Sequence, residues 1–503
     1  MSKRQAENDD ELTSFEGPLK NGARTAGLKG QSEDMGEFED PYGDEFESEE
    51  DEDEIIELND DEENEEEDEN ADGDIKEKQK SEAPKLYLPH KSAPLGPDEV
   101  LEPDPTVYEM LHRINLNWPC LSFDILPDRL GNERRGYPKT TYFITGTQAQ
   151  KKKDNEITVI KLSELSKTLE NAESDAESDD EQNDTDPVLE SRSLPTTDTT
   201  NRIRVSPHAE KTNEYLAASM SENGDVYVWD VTPHFTAFDT PGTTISKAMN
   251  RPVHTIRAHG GVEGYALDWS PHMATGQLLT GDVTGRIHIT TRGTSSWSTD
   301  KTPFVGHEDG ASVEELQWSQ SEKSVFASGG SDGFIRIWDT RSKKHKPALG
   351  VKASPSDVNV MSWSKNVSYL LASGHDDGSW GIWDLRTFQA NAATEPPLPA
   401  ASFHFNKSPI TSIEFHPTEE SIVAVSSADN TVMLWDLSVE ADDEEIAAQK
   451  RDDAAGELDD IPPQLLFVHW QKDVKEIHWH KQIPGMLMST GGEGINAWKS
   501  ISV

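Results

Sequence analysis

The chain has 503 residues, of which 33% are hydrophobic, and its 95 Asp/Glu against 46 Lys/Arg give a formal net charge of −49. That charge excludes one uniform globule, and it is segregated: Glu33 to Asn70 holds 24 acidic residues and no base, Glu170 to Asp186 holds 9 and none, and Glu440 to Asp460 holds 10 against Lys450 and Arg451. A single cysteine, Cys120, excludes an internal disulfide and a thiolate zinc cluster. No apolar run nears the ~20 residues of a membrane span, and the N-terminus lacks the apolar core of a secretory signal, so a soluble intracellular protein is expected.

Taken in chain order, residues 1–83 bury too little apolar surface to offset the entropy of ordering and are expected to be a disordered acidic tail. "KLYLP" at Lys85 to Pro89 reads as a strand. In "PDPTVYEMLHRINLNWP", Val107, Leu111 and Ile114 fall at helical spacing with Pro103 and Pro105 at the start, so a short amphipathic helix is expected there. From 119 to 162, "CLSFDIL", "TTYFITGT" and "EITVIKL" supply three strands.

From there one text recurs: an apolar strand, a turn, a strand of small residues, a Gly/Asp turn and a third strand ending in Trp-Asp. Trp318 precedes Trp338 by 20 residues, as Trp363 precedes Trp383 and Phe415 precedes Trp435, and the blocks recur every 45 to 64 residues, at 269, 318, 363, 415 and 479. Ile335 and Ile337 flank Arg336, Val432 and Leu434 flank Met433, and Ile287 and Ile289 flank His288, which is the period of a strand. Repeats of about 45 residues built from short strands mark propeller blades. Cores near 201–230, 258–291, 305–339, 355–384, 403–436 and 466–499 join that at 119–162 to give seven. The fold class is therefore all-β: a seven-bladed propeller over 84–503, with a short N-terminal helix, the acidic tail, and acidic inserts at about 164–200 and 438–463. The chain ends five residues after Trp498, so an N-terminal segment is expected to close the ring, with "KLYLP" the candidate.

His307, Ser328, Asp332 and Trp338 resemble the hydrogen-bonded tetrad of WD-repeat proteins, and Asp377, Asp429 and His404 fall at matching places, with Thr284 at the Asp place of the Trp269 block. Singly they look catalytic; recurring at blade spacing, they read as structure. No phosphate-cradling loop, metalloprotease helix or nucleophile elbow is present, "SGGSDG" and "STGGEG" sit at strand turns, and neither an enzyme nor a cofactor is expected.

Beyond the WD-repeat family at large, the chain resembles the glutamate-rich WD-repeat proteins through "LYLP", "YEMLH", "WPCLSFDIL", "GTQA", "GYALDWSP", "VEELQWS", "DVNVMSW" and "IPPQLLFVHW", over about 84–503. The resemblance implies a dedicated chaperone of a newly made basic ribosomal protein, the large-subunit protein L-three, delivered to pre-60S particles in the nucleolus, with presence also in nucleus and cytoplasm. Acidic tracts suit such cargo, since they draw Lys/Arg-rich partners by a salt-sensitive long-range field.

Some blocks also resemble histone-binding WD-repeat chaperones, and this second likeness implies cargo contacts at Tyr108, Leu111 and His112 and on the acidic loop at Asp442, Asp443, Glu444, Glu445, Asp459, Asp460, Pro462 and Pro463. Histones are thus an alternative cargo. A third reading is an adaptor of a cullin ubiquitin ligase, from the boxes "WDTR" and "WDLR", although Arg341 and Arg386 equally suit ion pairs with a neighbouring blade. Ser48, Ser174 and Ser178 lie in acidic context for casein kinase two, and Lys3-Arg4 and Lys151-Lys152-Lys153 are short basic runs of the kind that serve nuclear import. A monomer without membrane or sequence-specific nucleic-acid binding is expected.

Overall fold

The computed structural model describes residues 101, 103–168, 186–388, 397–440 and 461–503. They form seven antiparallel sheets, six of four strands and one of five. Blade 1 comprises Phe123–Leu126, Lys139–Gly146, Glu156–Leu165 and Val188–Pro195, and blade 2 comprises Thr200–Val205, Leu216–Ser221, Val226–Asp230 and His254–Ile256. Blade 3 runs Ala266–Trp269, Gln277–Gly281 and Arg286–Arg292, with Trp297–Thr299 and Phe304–Val305 sharing its outer edge. Blade 4 is Val313–Trp318, Val325–Gly330, Phe334–Asp339 and Leu349–Lys352, and blade 5 is Val358–Trp363, Leu370–His375, Trp380–Asp384 and Ala401–Phe403. Ile410–Phe415, Ile422–Ser427, Thr431–Asp436 and Leu465–Trp470 make blade 6.

Inner strands of successive blades touch all the way round. Among the described residues there is no single core. Seven apolar clusters each fill the gap between two neighbouring blades, so alternate side chains of a strand serve opposite neighbours. Ile335 and Ile337 pack toward blade 5 while Trp338 packs with the blade 3 residues, as their period-two spacing requires. Middle strands such as Ile422–Ser427 are buried along their whole length, being covered on both faces.

Blade 7 corrects the sequence reading twice. Its strands are Glu476–Trp479, Leu487–Thr490, Gly494–Ser500 and, on the outside, Tyr108–Asn115. The ring is closed by the segment expected to be a helix, and "KLYLP", expected to close it, lies outside the described residues while its place is taken. Within the described part of that segment, only Pro105–Val107 is helical, as one 3-10 turn capped by Asp104. The helix-like spacing has a physical cause. A bulge between Tyr108 and Met110 inserts an extra residue, so Tyr108 and Leu111 face the blade 6 side while Met110 and Ile114 face blade 1. Val107 and Leu111 thus share a side without a helix, while Ile114, the third residue of the helical spacing, faces the opposite way.

Two smaller differences concern boundaries. Val188–Pro195 lies inside the stretch read as the first acidic insert but is the outer strand of blade 1, pairing with Glu156–Leu165. The sequence repeat is also offset from the blade, since the block read as 466–499 begins on the outer strand of blade 6.

The tetrad forms in blade 4. His307 Nδ1 donates to Asp332 Oδ1 at 2.9 Å, Ser328 Oγ donates to His307 Nε2 at 2.7 Å, and Trp338 Nε1 donates to Ser328 Oγ at 2.8 Å. Its tight turn needs Gly333, at φ 71°, where a Cβ would stand 2.3 Å from the carbonyl oxygen of Ser354. Other blades depart from the expected assignments. In blade 3, Asp282 and not Thr284 accepts from His259, at 2.8 Å, and Thr284 merely bonds to Asp282. In blade 5, His375 lies between Ser373 and Ser379, each at 2.9 Å, and Asp377 holds Ser379. In blade 6, His404 is exposed and bonds to Ser402, and buried Asn406 faces Asp429 instead.

Candidate interaction faces of the propeller

Because four strands alternate in direction, connections between second and third strands and those between blades lie on one face, called upper here. First-to-second and third-to-fourth connections lie on the lower face. The inner strands line a channel between the two.

The channel waist is a closed ion network. Glu476 accepts from Arg202 Nη1 at 2.8 Å and Arg204 Nη2 at 2.7 Å through Oε1, and from Phe123 N at 2.8 Å through Oε2, which ties blade 7 to blades 1 and 2. Arg202 also meets Glu315 of blade 4 at 3.2 Å. His478 Nδ1 donates to Glu414 Oε2 at 2.9 Å. Burial opposes charge on that imidazole, but Glu414 and Glu476 outweigh it and lift its pKa to about 9, so it is a cation at neutral pH. The two arginines hold the buried Glu476 carboxyl well below its ordinary range.

Other inner-strand side chains staple blade to blade through the next strand's backbone. Asp124 accepts from Val205 N, Asp268 from Trp318 N, Gln317 from Trp363 N, each at 2.7 Å, and Ser362 from Phe415 N at 3.0 Å.

On the upper face, Glu222, Glu263, Glu314, Asp357 and Asp376 from blades 2 to 5 form an acidic arc. Burial, then Asp357 and Asp376, push the Glu314 carboxyl up despite a bond from Ser312, and burial, then Asp376, do the same to Asp357. The Tyr265 hydroxyl among them is pushed up by burial, then by Glu263, Glu314 and Glu222. These carboxylates repel one another, which a fold tolerates but does not need; a cation placed among them would be favoured. The sequence reading missed this arc because single acidic residues in separate repeats carry no local signal. Their shared place at turns and blade entries would have shown it once the strands were registered.

The residues singled out by sequence fall apart spatially. Tyr108 is 7% exposed, its hydroxyl 2.9 Å from His469 Nδ1 and its ring edge-on to Phe467. Leu111 N donates to Thr168 Oγ1 and His112 Nε2 to the carbonyl of Ser166, both at 2.9 Å, so this strand is engaged with the propeller. Pro462 and Pro463 precede the outer strand of blade 6, the former accepting from Leu465 N at 3.0 Å. Asp442, Asp443, Glu444, Glu445, Asp459, Asp460, Ser48, Ser174 and Ser178 lie outside the described residues. Thr168 and Asp186, like Glu440 and Ile461, flank third-to-fourth connections, so the chain leaves for both acidic stretches from the lower face. Arg341 and Arg386 pair with Asp339 and Asp384 of their own boxes, at 2.8 and 2.6 Å, and not with a neighbouring blade.

Among known proteins, a family model described as histone-binding protein RBBP4 or a CAF1 complex subunit matches residues 98–166, and one described as the nucleolar protein 10-like N-terminal domain matches 296–456. Ribosome assembly protein rrb1 of Schizosaccharomyces pombe is 46% identical over 100% of both chains. Protein HEAT STRESS TOLERANT DWD 1 of Arabidopsis thaliana is 43% identical over 84% of this chain and 94% of its own. Glutamate-rich WD repeat-containing protein 1 of Dictyostelium discoideum is 42% identical over 81% of this chain and 83% of its own. With full-length identity to the first, and the repeat and tetrad in place, this chain belongs to the glutamate-rich WD-repeat protein family.

Proposed function

We infer that this chain is a ribosome assembly factor that holds a newly made, Lys/Arg-rich ribosomal protein, the large-subunit protein L-three, and hands it to pre-60S particles in the nucleolus. The observation that carries this reading is the arc of Glu222, Glu263, Glu314, Asp357 and Asp376 at the upper channel mouth, where mutual repulsion among carboxylates is relieved by a basic segment. The acidic sequence at 170–186 and 440–460 adds a second, longer-range attraction for a basic cargo. The relative named for ribosome assembly, similar over its full length, supports the same pathway. Binding by charge complementarity, not by chemistry on the cargo, is what this surface offers.

Affinity purification of the chain at moderate salt, with mass spectrometry of stoichiometric partners, tests it. The expected result is one dominant basic ribosomal protein, L-three, lost on changing Glu263, Glu314 and Asp357 to Gln, Gln and Asn. Histones as the dominant partner would instead favour the second reading, to which the match of residues 98–166 to the histone-binding model lends support. Cullin-ligase components would favour the adaptor, whose boxes present Arg341 and Arg386 at the surface with side chains 74% and 64% exposed.

A further inference from the structure

The lower channel mouth is the chemical opposite of the upper one. A cavity of about 190 Å³ there is lined by Lys365, Lys481, His416 and His478, with Asp124, Asp268 and Glu414 on its walls. Room for about six waters is enough for a hydrated oxyanion.

What matters is which of these groups is already engaged. Asp124 takes Val205 N and Ile125 N, Asp268 takes Trp318 N, and Glu414 takes His478 Nδ1 and Trp479 N. The donors are in the reverse position. Among the described residues, Lys365 and Lys481 have no hydrogen-bond or ion-pair partner, and both line the cavity. His416 is 4% exposed, and its Nδ1 accepts from Glu419 N at 2.9 Å, which places the proton on Nε2; that buried N–H has no acceptor. That nitrogen has almost no accessible surface and is out of a ligand's reach, so the two unpaired ammoniums lining one cavity are what favour an acceptor from outside.

We propose that the lower channel mouth is an oxyanion site, in which a phosphate or carboxylate group lies between Lys365 and Lys481. The like charge of Lys481, then burial, bring the Lys365 ammonium down to about 8, more than nearby Glu414, Asp124 and Asp268 restore, and an anion between the two ammoniums relieves that repulsion. His478, already cationic, adds to the field. The ligand chemistry has two sources: a free ion such as inorganic phosphate, or an acidic or phosphorylated segment of a polypeptide, of which this chain carries two leaving from the same face.

Titration calorimetry of the full-length chain separates them, using inorganic phosphate in one arm and, in the other, a peptide of residues 170–186 phosphorylated at Ser174 and Ser178. Saturable binding is expected in at least one arm, weakened about tenfold or more by Lys365→Gln with Lys481→Gln, as loss of a charge-assisted hydrogen bond implies. Exposed lysines elsewhere serve as the control, and Lys343→Gln with Lys344→Gln should leave affinity unchanged. Tighter binding of the phosphopeptide than of phosphate assigns the site to a segment; equal or weaker binding assigns it to a free ion. No binding of either probe, or equal loss in the control variant, overturns the proposal. The two lysines are unpaired, so an unchanged melting temperature without ligand is the check that the fold persists.

Discussion

One channel, two unlike mouths and a neutralised waist: the upper mouth holds carboxylates in excess of their partners, the lower mouth holds donors in excess of theirs, and Arg202, Arg204, Glu315, Glu414, Glu476 and His478 between them are mutually engaged. The inner strands carry the waist, and turns and blade entries carry the mouths. The difference teaches that stability in this ring rests on the waist and on the layers between blades, which leaves both mouths free to carry charge that the fold itself does not require.

The largest effect should come from opening the ring. A chain starting at residue 117 loses Tyr108–Asn115, exposing the edge of Gly494–Ser500 and uncovering the blade 6, 7 and 1 clusters, and should aggregate or lose its cooperative melting. A chain starting at 101 keeps that strand and should melt like the full protein. Equal stability of both would break the assignment of closure.

Next is the waist. Glu476→Ala leaves Arg202 and Arg204 without their shared partner and Phe123 N without an acceptor, so a loss of about 3–5 kcal/mol is expected by denaturant unfolding, the scale for breaking a buried pair. A loss under about 1 kcal/mol would mean that the waist is hydrated and the contrast with the mouths is weak.

A smaller effect distinguishes the closing strand from the local tetrads. Tyr108→Phe keeps the packing on Phe467 and Trp498 but leaves the His469 ring nitrogen unpaired, which should cost about 1–3 kcal/mol. Ser328→Ala in blade 4 is the matched comparison, since it removes the partner of His307 Nε2 and of Trp338 Nε1.

The pH dependence sharpens the waist further. His478 titrates near 9 when folded against about 6.5 when unfolded, so its contribution is complete below pH 6.5 and is lost as pH rises through 9. Asp268, raised to about 7 chiefly by burial, acts in the same direction. The gap in melting temperature between the wild type and His478→Gln should therefore narrow from pH 6.5 to 9.5. A gap that widens would show that the imidazole is neutral.

Sequence alone determined the strands, the blade count and the blade 4 tetrad, because each rests on residues within about 45 positions and on period-two burial that every repeat restates. It misassigned His404 and Thr284, since the side chain in the buried place, Asn406 or Asp282, stands two residues away from the one that the repeat spacing picks. Only the tertiary structure decided the closing strand and the charge of the two mouths. Tyr108–Asn115 has helix-like spacing until the open edge of blade 7 and a bulge make it a strand, and Glu476 meets Phe123 across 353 residues of chain. Local pattern records what a residue's neighbours in sequence require of it; these contacts are made between blades, where ring closure and not sequence distance sets which groups meet.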